Sequence, residues 1–390
     1  MSVARLLETS RVVVCVGSGG VGKTTVAASL ALVGAMRGRR AMVLTIDPAR
    51  RLAQSLGVAT LRIGGERIPA ERFVEAGLEP AGELSAGMLD QTSAWDAFIA
   101  RHAPSVEVRD TILANDFYQH LSRSFAGSTE YMAMEELCRI DESGDFDLIV
   151  LDTPPTAHAI DFLEAPRRLE DFFDRGVLGW LVKPTVSAGW SVWKTASRSM
   201  RFLFERVEEA TGVQALSEIA SFFVAVEQLV DGVTARSRDV QALLRSDATS
   251  FVLVTGPDEQ VLEDAEDLAA KMRELGMPLR GVVMNRVHAA GLALSAIGGP
   301  QREAAEDRVT AALVAAGAAP EAVAWMRSML DERVVQGASE AVRREAFEAA
   351  LQASVLRSAV PEQERDVHDL RGLATVGRFL KGEDGRRADS

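Results

Sequence analysis

The sequence predicts an α/β fold in which a mostly parallel sheet is covered by helices, and three observations predict it. Short apolar runs alternate with helical patterns along the chain, the pattern left by strands buried on both faces and the helices that connect them. The apolar run 12–16 leads into a glycine-rich segment and then into an Ala- and Leu-rich stretch, a strand-loop-helix arrangement. The chain has 390 residues and 47% hydrophobic content, enough to bury a core as one large domain or two smaller ones.

Strands are expected at 12–16, 41–46, 73–78, 146–151, 251–255, 281–284 and 355–360, each a short apolar run bounded by polar or turn-forming residues. The clearest helix joins the fifth and sixth of these. Leu262, Ala265, Leu268, Ala269, Met272 and Leu275 form one apolar stripe, while Glu263, Asp264, Glu266, Lys271 and Arg273 lie elsewhere around the wheel. Pro257 suits its first turn, and Gly276 followed by Pro278 suits its end. Residues 83–142 and 158–248 read as long helical insertions in a single domain spanning 1–380, and 381–390, polar and without periodicity, read as a disordered tail.

The segment Gly17-Ser18-Gly19-Gly20-Val21-Gly22-Lys23-Thr24-Thr25 has the composition of a phosphate-binding loop. A strand that ends in glycines and then starts a helix directs successive backbone N–H groups at one spot, where the helix dipole adds positive potential. Glycine permits close approach of the phosphates and positive φ. Lys23 supplies a cation for the β- and γ-phosphates, and Thr24 a hydroxyl for Mg2+.

Two acidic segments follow strands. Asp47-Pro48-Ala49 comes after the second run, and Asp152-Thr153-Pro154-Pro155-Thr156-Ala157-His158 after the fourth. Ligands of an open parallel sheet lie at the carboxyl ends of its strands, so both segments are expected beside the phosphate loop. Asp152 would then assist Mg2+ through water, and Asp47 would orient or deprotonate the attacking water. The alternative is that each aspartate caps the following helix.

The formal charge of −13 argues against a general nucleic-acid binder, which needs clustered Lys and Arg. Two cysteines, Cys15 and Cys138, form no disulfide framework and fit a reducing cytosol. There is no basic segment followed by an apolar one at the N-terminus, and no apolar stretch approaches the roughly 20 residues that span a bilayer. A cytoplasmic protein, able to visit a membrane surface, is expected.

These motifs together resemble the ArsA-type ATPases, which include arsenite-pump ATPases and the guided-entry factor that delivers tail-anchored membrane proteins. The family's phosphate loop GKGGVGKTT is matched by GSGGVGKTT at 17–25, its first-switch DPA triplet by Asp47-Pro48-Ala49, and its second switch DTAPTGH, with two changes, by DTPPTAH at 152–158. The resemblance implies a P-loop NTPase of the deviant Walker A dimeric class that binds ATP and Mg2+, with Asp47 acting on the water. It further implies adenine contacts from an asparagine ending a late strand, here Asn285 in GVVMNRV, and from a proline segment near the C-terminus, here Pro361. As plain structure these two are a strand terminator and an edge breaker.

Departures from the pattern bear on biological role. Ser18 stands where the family's signature lysine reaches across a nucleotide-sandwich dimer to the partner subunit's phosphates. Arg50 and Arg51 are candidate substitutes, or an ordinary solvated charge cluster. Ala157 replaces a second-switch glycine. No C-x-x-C occurs, so the interfacial zinc site of the eukaryotic targeting factor has no thiolates here, and Cys138 reads as a small core residue. Within the second insertion, Trp180, Trp190 and Trp193 lie close to Phe172, Phe173, Phe202, Phe204, Phe222 and Phe223, with Lys183, Lys194, Arg198 and Arg201 interspersed. This is either a surface for an apolar client or lipid or a helical cap packed on its own core.

Fused pumps of the family carry two halves in one chain, whereas this chain has a single phosphate loop and no second copy of the switches, so the resemblance implies a dimer, either a homodimer or a heterodimer whose paralogous subunit supplies the missing lysine. The expected activity is Mg2+-dependent ATP hydrolysis that switches a helical surface for a hydrophobic client or membrane protein. The alternatives are a slow or non-hydrolysing regulatory subunit, and a partition-type ATPase, which the acidic balance disfavours.

Overall fold

A computed structural model describes residues 2–46, 50–58, 61, 65–89, 91–116, 118–119, 128–154, 164, 222, 225, 229–288, 299–363 and 365–382. The chain divides into two compact units, one made of Met1–Met88, Gly144–Ala159 and Asp247–Ser390, the other of Leu89–Ser143 and Ile160–Ser246.

The first unit is built on eight strands: β1 (Val12–Val16), β2 (Arg40–Thr45), β3 (Glu66–Arg67), β4 (Glu83–Met88), β5 (Leu148–Asp152), β6 (Thr249–Thr255), β7 (Leu279–Val287) and β8 (Leu356–Pro361). They lie in the order β3-β4-β2-β5-β1-β6-β7-β8. All neighbours are parallel except β3 and β4. Every residue of β1, β5 and β6 is buried, as central parallel strands covered on both faces require. The register places Asp152 beside Cys15 of β1 and beside Thr45 of β2, so the carboxyl ends of three strands meet at one carboxylate.

The helices, in chain order, begin with α1 (Val3–Thr9), α2 (Lys23–Met36), α3 (Arg50–Ser55) and α4 (Ala70–Ala76). The second unit supplies α5 (Gln91–His102), α6 (Val106–Leu113), α7 (Ser128–Ser143) and α8 (Val230–Arg245). The first unit continues with α9 (Glu259–Glu274), α10 (Gly299–Ala315), α11 (Pro320–Ala350) and α12 (Leu370–Lys381). α2 is apolar nearly all round and buried from Val26 to Ala35, which identifies a helix covered on both sides. Its core partners include Leu148, Val150, Leu373 and Val376. α12, strongly amphipathic, is capped by Asp369, whose carboxylate accepts from the Gly372 N–H at 2.7 Å.

Six of the seven expected runs are strands, shifted by a few residues at their ends. The run 73–78 is not a strand. It is the end of α4, where the Leu78 N–H donates to the Phe73 carbonyl at 2.9 Å and the Gly77 N–H to the Val74 carbonyl at 3.0 Å, the hydrogen-bond pair of a Schellman cap. Phe73 is the buried residue of this helix and Val74 is 77% exposed, so the apolar run never had two buried faces. Two strands lie outside the expected runs: the two-residue β3, and β4, at the start of the stretch expected to be helical. The β4 sequence ELSAGM is rich in small residues of low strand preference, and it pairs with β2 along its whole length. α9 follows its predicted stripe, with Leu262, Ala265, Leu268, Ala269 and Met272 buried. Its N-cap is Asp258, which places Pro257 just before the helix. α12 includes Lys381, and residues 383–390 lie outside the described residues.

The second unit has its own core of Trp95, Phe98, Ile99, Ile112, Tyr118, Tyr131, Met132, Phe222, Ala225 and Leu229. Phe98 meets Trp95 and Tyr131 edge-on, each at 5.8 Å between ring centroids. Glu135 of α7 is buried here between Arg236 of α8, at 2.6 Å, and Arg101 of α5, also at 2.6 Å, and Arg236 additionally pairs with Glu142. Burial alone would push the Glu135 carboxyl up. The hydrogen bond from Arg236 and the charges of Arg236 and Arg101 outweigh it and hold the group below its ordinary value of 4.5.

Candidate nucleotide site

The loop between β1 and α2 takes its shape from positions where a side chain cannot stand. Gly17 has φ 151°, and a Cβ there would lie 1.9 Å from the Val254 carbonyl oxygen of β6. Gly22, the N-cap of α2, has φ 91°, and its Cβ would lie 2.2 Å from Asn285 Nδ2. The first glycine lets the loop press against β6, and the second lets β7 reach the loop. Both positive φ values would strain any other residue.

Around this loop the polar groups converge. The Thr24 hydroxyl donates to Asp152 Oδ2 at 2.7 Å, and the Thr45 hydroxyl donates to the same oxygen at 3.0 Å. Asp152 is 1% exposed, so its carboxylate is held by the two threonines in the interior of the sheet's carboxyl edge. Lys23 is 7% exposed, and its ammonium donates to the Ser18 carbonyl at 2.8 Å. The Asn285 amide donates to the Val21 carbonyl at 2.8 Å. Behind Asp152, the Thr153 hydroxyl and N–H both donate to the Cys15 carbonyl, at 2.7 and 3.3 Å. A buried cation, a carboxylate-linked hydroxyl and a glycine backbone thus surround the N-terminus of α2, a setting suited to a polyphosphate.

A family model described as "Anion-transporting ATPase" matches residues 10–293. The chain belongs to this family. Among its relatives are the ATPase GET3 of Malassezia globosa, 25% identical over 275 residues, which are 70% of this chain and 71% of that one. The ATPase ASNA1 homolog 2 of Paramecium tetraurelia is 25% identical over 272 residues, 70% and 74% of the two chains. A protein of Aquifex aeolicus named as an arsenical pump-driving ATPase is 24% identical over 283 residues, 71% and 63% of the two chains. The protein is an ATPase of this anion-transporting family.

The structure of this ATPase brings together most of the residues that its sequence singles out: the loop 17–25, Asp152 and Asn285. The Asp152 carboxylate accepts from threonine hydroxyls on α2 and β2. Asn285 lies inside β7, which continues to Val287, and its side chain donates to the loop. Pro361 closes β8, the outer strand on that side of the sheet, buried and in register with Val287. Asp47, Pro48, Ala49 and residues 155–158 lie outside the described residues, as do Trp180, Trp190 and Trp193, and the side chains of Arg50 and Arg51. Phe222, grouped with those tryptophans in the sequence, is buried and stacked on Tyr118 at 6.3 Å.

Three contributors to this site have no motif to announce them. Thr45 is simply the last residue of a strand, two before Asp47. The Ser18 hydroxyl donates to Asp264 Oδ2 of α9 at 3.0 Å across 246 residues. Glu340 of α11, 3% exposed, accepts from the His288 N–H at 3.2 Å and meets its Nδ1 at 2.6 Å, tying α11 to the chain just beyond Asn285. Among the described residues no helix is long and apolar enough to cross a membrane. Also among them, no group of three or more His, Cys, Asp or Glu is placed to hold a metal.

Proposed function

We propose that this ATPase binds ATP with Mg2+ in the loop 17–25 and uses hydrolysis to switch a helical surface that holds a hydrophobic client or membrane protein. The observation that carries the nucleotide half is the contact of Thr24 with the buried Asp152 beneath a loop that has no room for a Cβ at Gly17 or Gly22. Mg2+ fits this donor set. It takes hard oxygen ligands and is usually held by one or two protein groups together with phosphate oxygens and water. Thr24 would supply the hydroxyl, and Asp152 would act through water while its bond from Thr45 fixes the carboxylate. Bound there, Mg2+ supplies positive charge to the phosphate oxygens.

Lys23 would leave the Ser18 carbonyl for the β- and γ-phosphates, exchanging a neutral acceptor for a charged one. The loop N–H groups and the start of α2 would hold the remaining oxygens. Asn285 and the segment at Pro361 are the adenine contacts, and Asp47 is the group that orients or deprotonates the attacking water. The client surface is assigned to the helical second unit, on the resemblance to the guided-entry factor. A dimer in the cytoplasm, touching membranes peripherally, is the working form.

A second reading is favoured by Ser18, whose hydroxyl is engaged by Asp264 and which carries no cation toward a neighbouring subunit. In that reading the chain is a slow or silent partner in a heterodimer, and a paralogous ATPase supplies the lysine.

Calorimetry and steady-state hydrolysis on Lys23→Ala and Asp47→Asn test the proposal. Lys23→Ala is expected to lose ATP affinity by at least about 100-fold, as removal of charged hydrogen bonds implies. Asp47→Asn is expected to bind ATP normally and turn over roughly 100-fold more slowly. Normal affinity in Lys23→Ala removes the assignment of the loop. Unchanged turnover in Asp47→Asn removes the role of Asp47. Purified chain that is inactive alone and active with a paralogue decides for the second reading.

A further inference from the structure

The phosphate loop is held from outside at its second residue. Ser18 is 8% exposed, and it is gripped at both ends: its hydroxyl donates to Asp264 Oδ2 at 3.0 Å, and its carbonyl accepts the Lys23 ammonium at 2.8 Å. One residue earlier, Gly17 lies against the Val254 carbonyl, so β6 and the helix that follows it form a wall behind the loop. That wall is itself firm. α9 is anchored by the buried side chains of Leu262, Ala265, Leu268, Ala269 and Met272. The Thr255 hydroxyl donates to the Val261 carbonyl at 3.3 Å, and Arg343 Nε of α11 donates to the Pro257 carbonyl at 3.2 Å.

We propose that Asp264 is a positioning residue for ATP binding, which fixes the Ser18 peptide and through it the resting place of Lys23. Asp264 belongs to the exposed face of α9, where a carboxylate is content in water and nothing in the packing of the helix calls for it. Its bond therefore acts on the loop. Ser18 has neighbours of high backbone freedom, Gly17 on one side and Gly19 and Gly20 on the other, and without a side-chain anchor its peptide can rotate away. A loop that must be ordered by the nucleotide binds it less tightly than one ordered beforehand. The charge of Asp264 works in the opposite direction, since a carboxylate disfavours a polyanion nearby. Positioning and charge thus predict opposite signs, and the amide isostere separates them.

This inference rests on the loop being the ATP site, so the experiment carries Lys23→Ala as a separate control. ATP binding with Mg2+ is measured by calorimetry on the full chain for wild type, Asp264→Ala, Asp264→Asn, Ser18→Ala and the double variant Ser18→Ala/Asp264→Ala, with melting temperatures for each. Asp264→Ala and Ser18→Ala are each expected to raise Kd by about 5- to 20-fold, the range for one hydrogen bond to a charged group discounted for partial exposure. The double variant is expected to be no worse than the poorer single one, because both remove the same bond. Asp264→Asn keeps an acceptor oxygen and is expected to stay within about twofold of wild type. Melting temperatures should not follow this order, as they would if Asp264 served stability alone.

Unchanged or tighter binding in Asp264→Ala overturns the proposal, as do equal effects of Asn and Ala at 264, or losses that add in the double variant. If Asp264→Ala does not fold, Ser18→Ala and Asp264→Asn decide between the same outcomes. Lys23→Ala binding ATP like wild type overturns the site itself. Lys23→Ala losing ATP while Asp264→Ala keeps it overturns only the role of Asp264.

Discussion

At the scale of single residues, the nucleotide site is a set of constraints on backbone shape. Gly22 is the sharpest of them. An added methyl at 22 would meet Asn285 Nδ2 at 2.2 Å, at a φ of 91°, where an L-residue costs about 1–2 kcal/mol before any clash is counted. Gly22→Ala is therefore expected to push Asn285 off the Val21 carbonyl and distort the start of α2. Calorimetry should show ATP affinity reduced at least tenfold, with a fall in melting temperature; wild-type affinity would mean that the Asn285 contact does not shape the loop. Such constraints explain what a sequence can and cannot announce. The loop 17–25 is readable because its geometry demands glycines at set spacings. Asp152 is readable because it ends an apolar strand. Asp264 and Glu340 are not, since each joins the site from a helix whose periodicity describes only its buried stripe, and the contacts span 246 and 52 residues.

Elements show the same division. The buried strands β1, β5 and β6 each carry a continuous apolar run and can be read directly, whereas β4 is hidden in small residues and α4 is disguised by the apolar run that ends it. Both errors arise because hydrophobicity alone does not distinguish a two-faced strand from a helix end. In the second unit, an ionic group adds to the apolar joint between α5, α7 and α8. Glu135 is buried and pairs with the buried Arg236 and the partly exposed Arg101, and removing the carboxylate leaves the buried guanidinium of Arg236 with one partner fewer. Glu135→Gln is expected to destabilise this unit by roughly 2–3 kcal/mol at neutral pH. The sign with pH follows from the carboxyl being held below 4.5. Its contribution is fully present above that value and is lost as pH falls below it. The gap between wild type and Glu135→Gln in chemical denaturation should narrow from pH 6 toward pH 3; a gap independent of pH would show that the ionised carboxylate is not what matters.

For the molecule as a whole, position 18 connects the site to the dimer mechanism that the family resemblance implies. A lysine there would arrive beside Asp264, now 3.0 Å from the Ser18 hydroxyl, and would pair with that carboxylate in its own chain. Ser18→Lys alone is expected to change turnover little, while Ser18→Lys with Asp264→Asn frees the cation and is expected to raise it about tenfold or more, as an added donor at developing phosphate charge can. Steady-state assays across a range of protein concentration check this, and equal activity of the two variants would rule out capture by Asp264. The cysteines carry a different consequence. Cys15 lies in the central strand of the first unit and Cys138 in α7 of the second, both buried and free. Burial, reinforced by Asp152 and opposed by Lys23, pushes the Cys15 thiol far up, and burial pushes that of Cys138 up to about 12. At neutral pH neither offers a thiolate, the form that alkylating reagents attack, so each can be labelled only when its own unit opens. The chain thus carries one built-in chemical clock in each unit. Pulsed maleimide labelling read by mass spectrometry should show ATP slowing the clock at Cys15, by about 100-fold at 100 times Kd if opening releases the nucleotide, while the clock at Cys138 keeps its own rate; equal slowing of both would mean that the two units open as one.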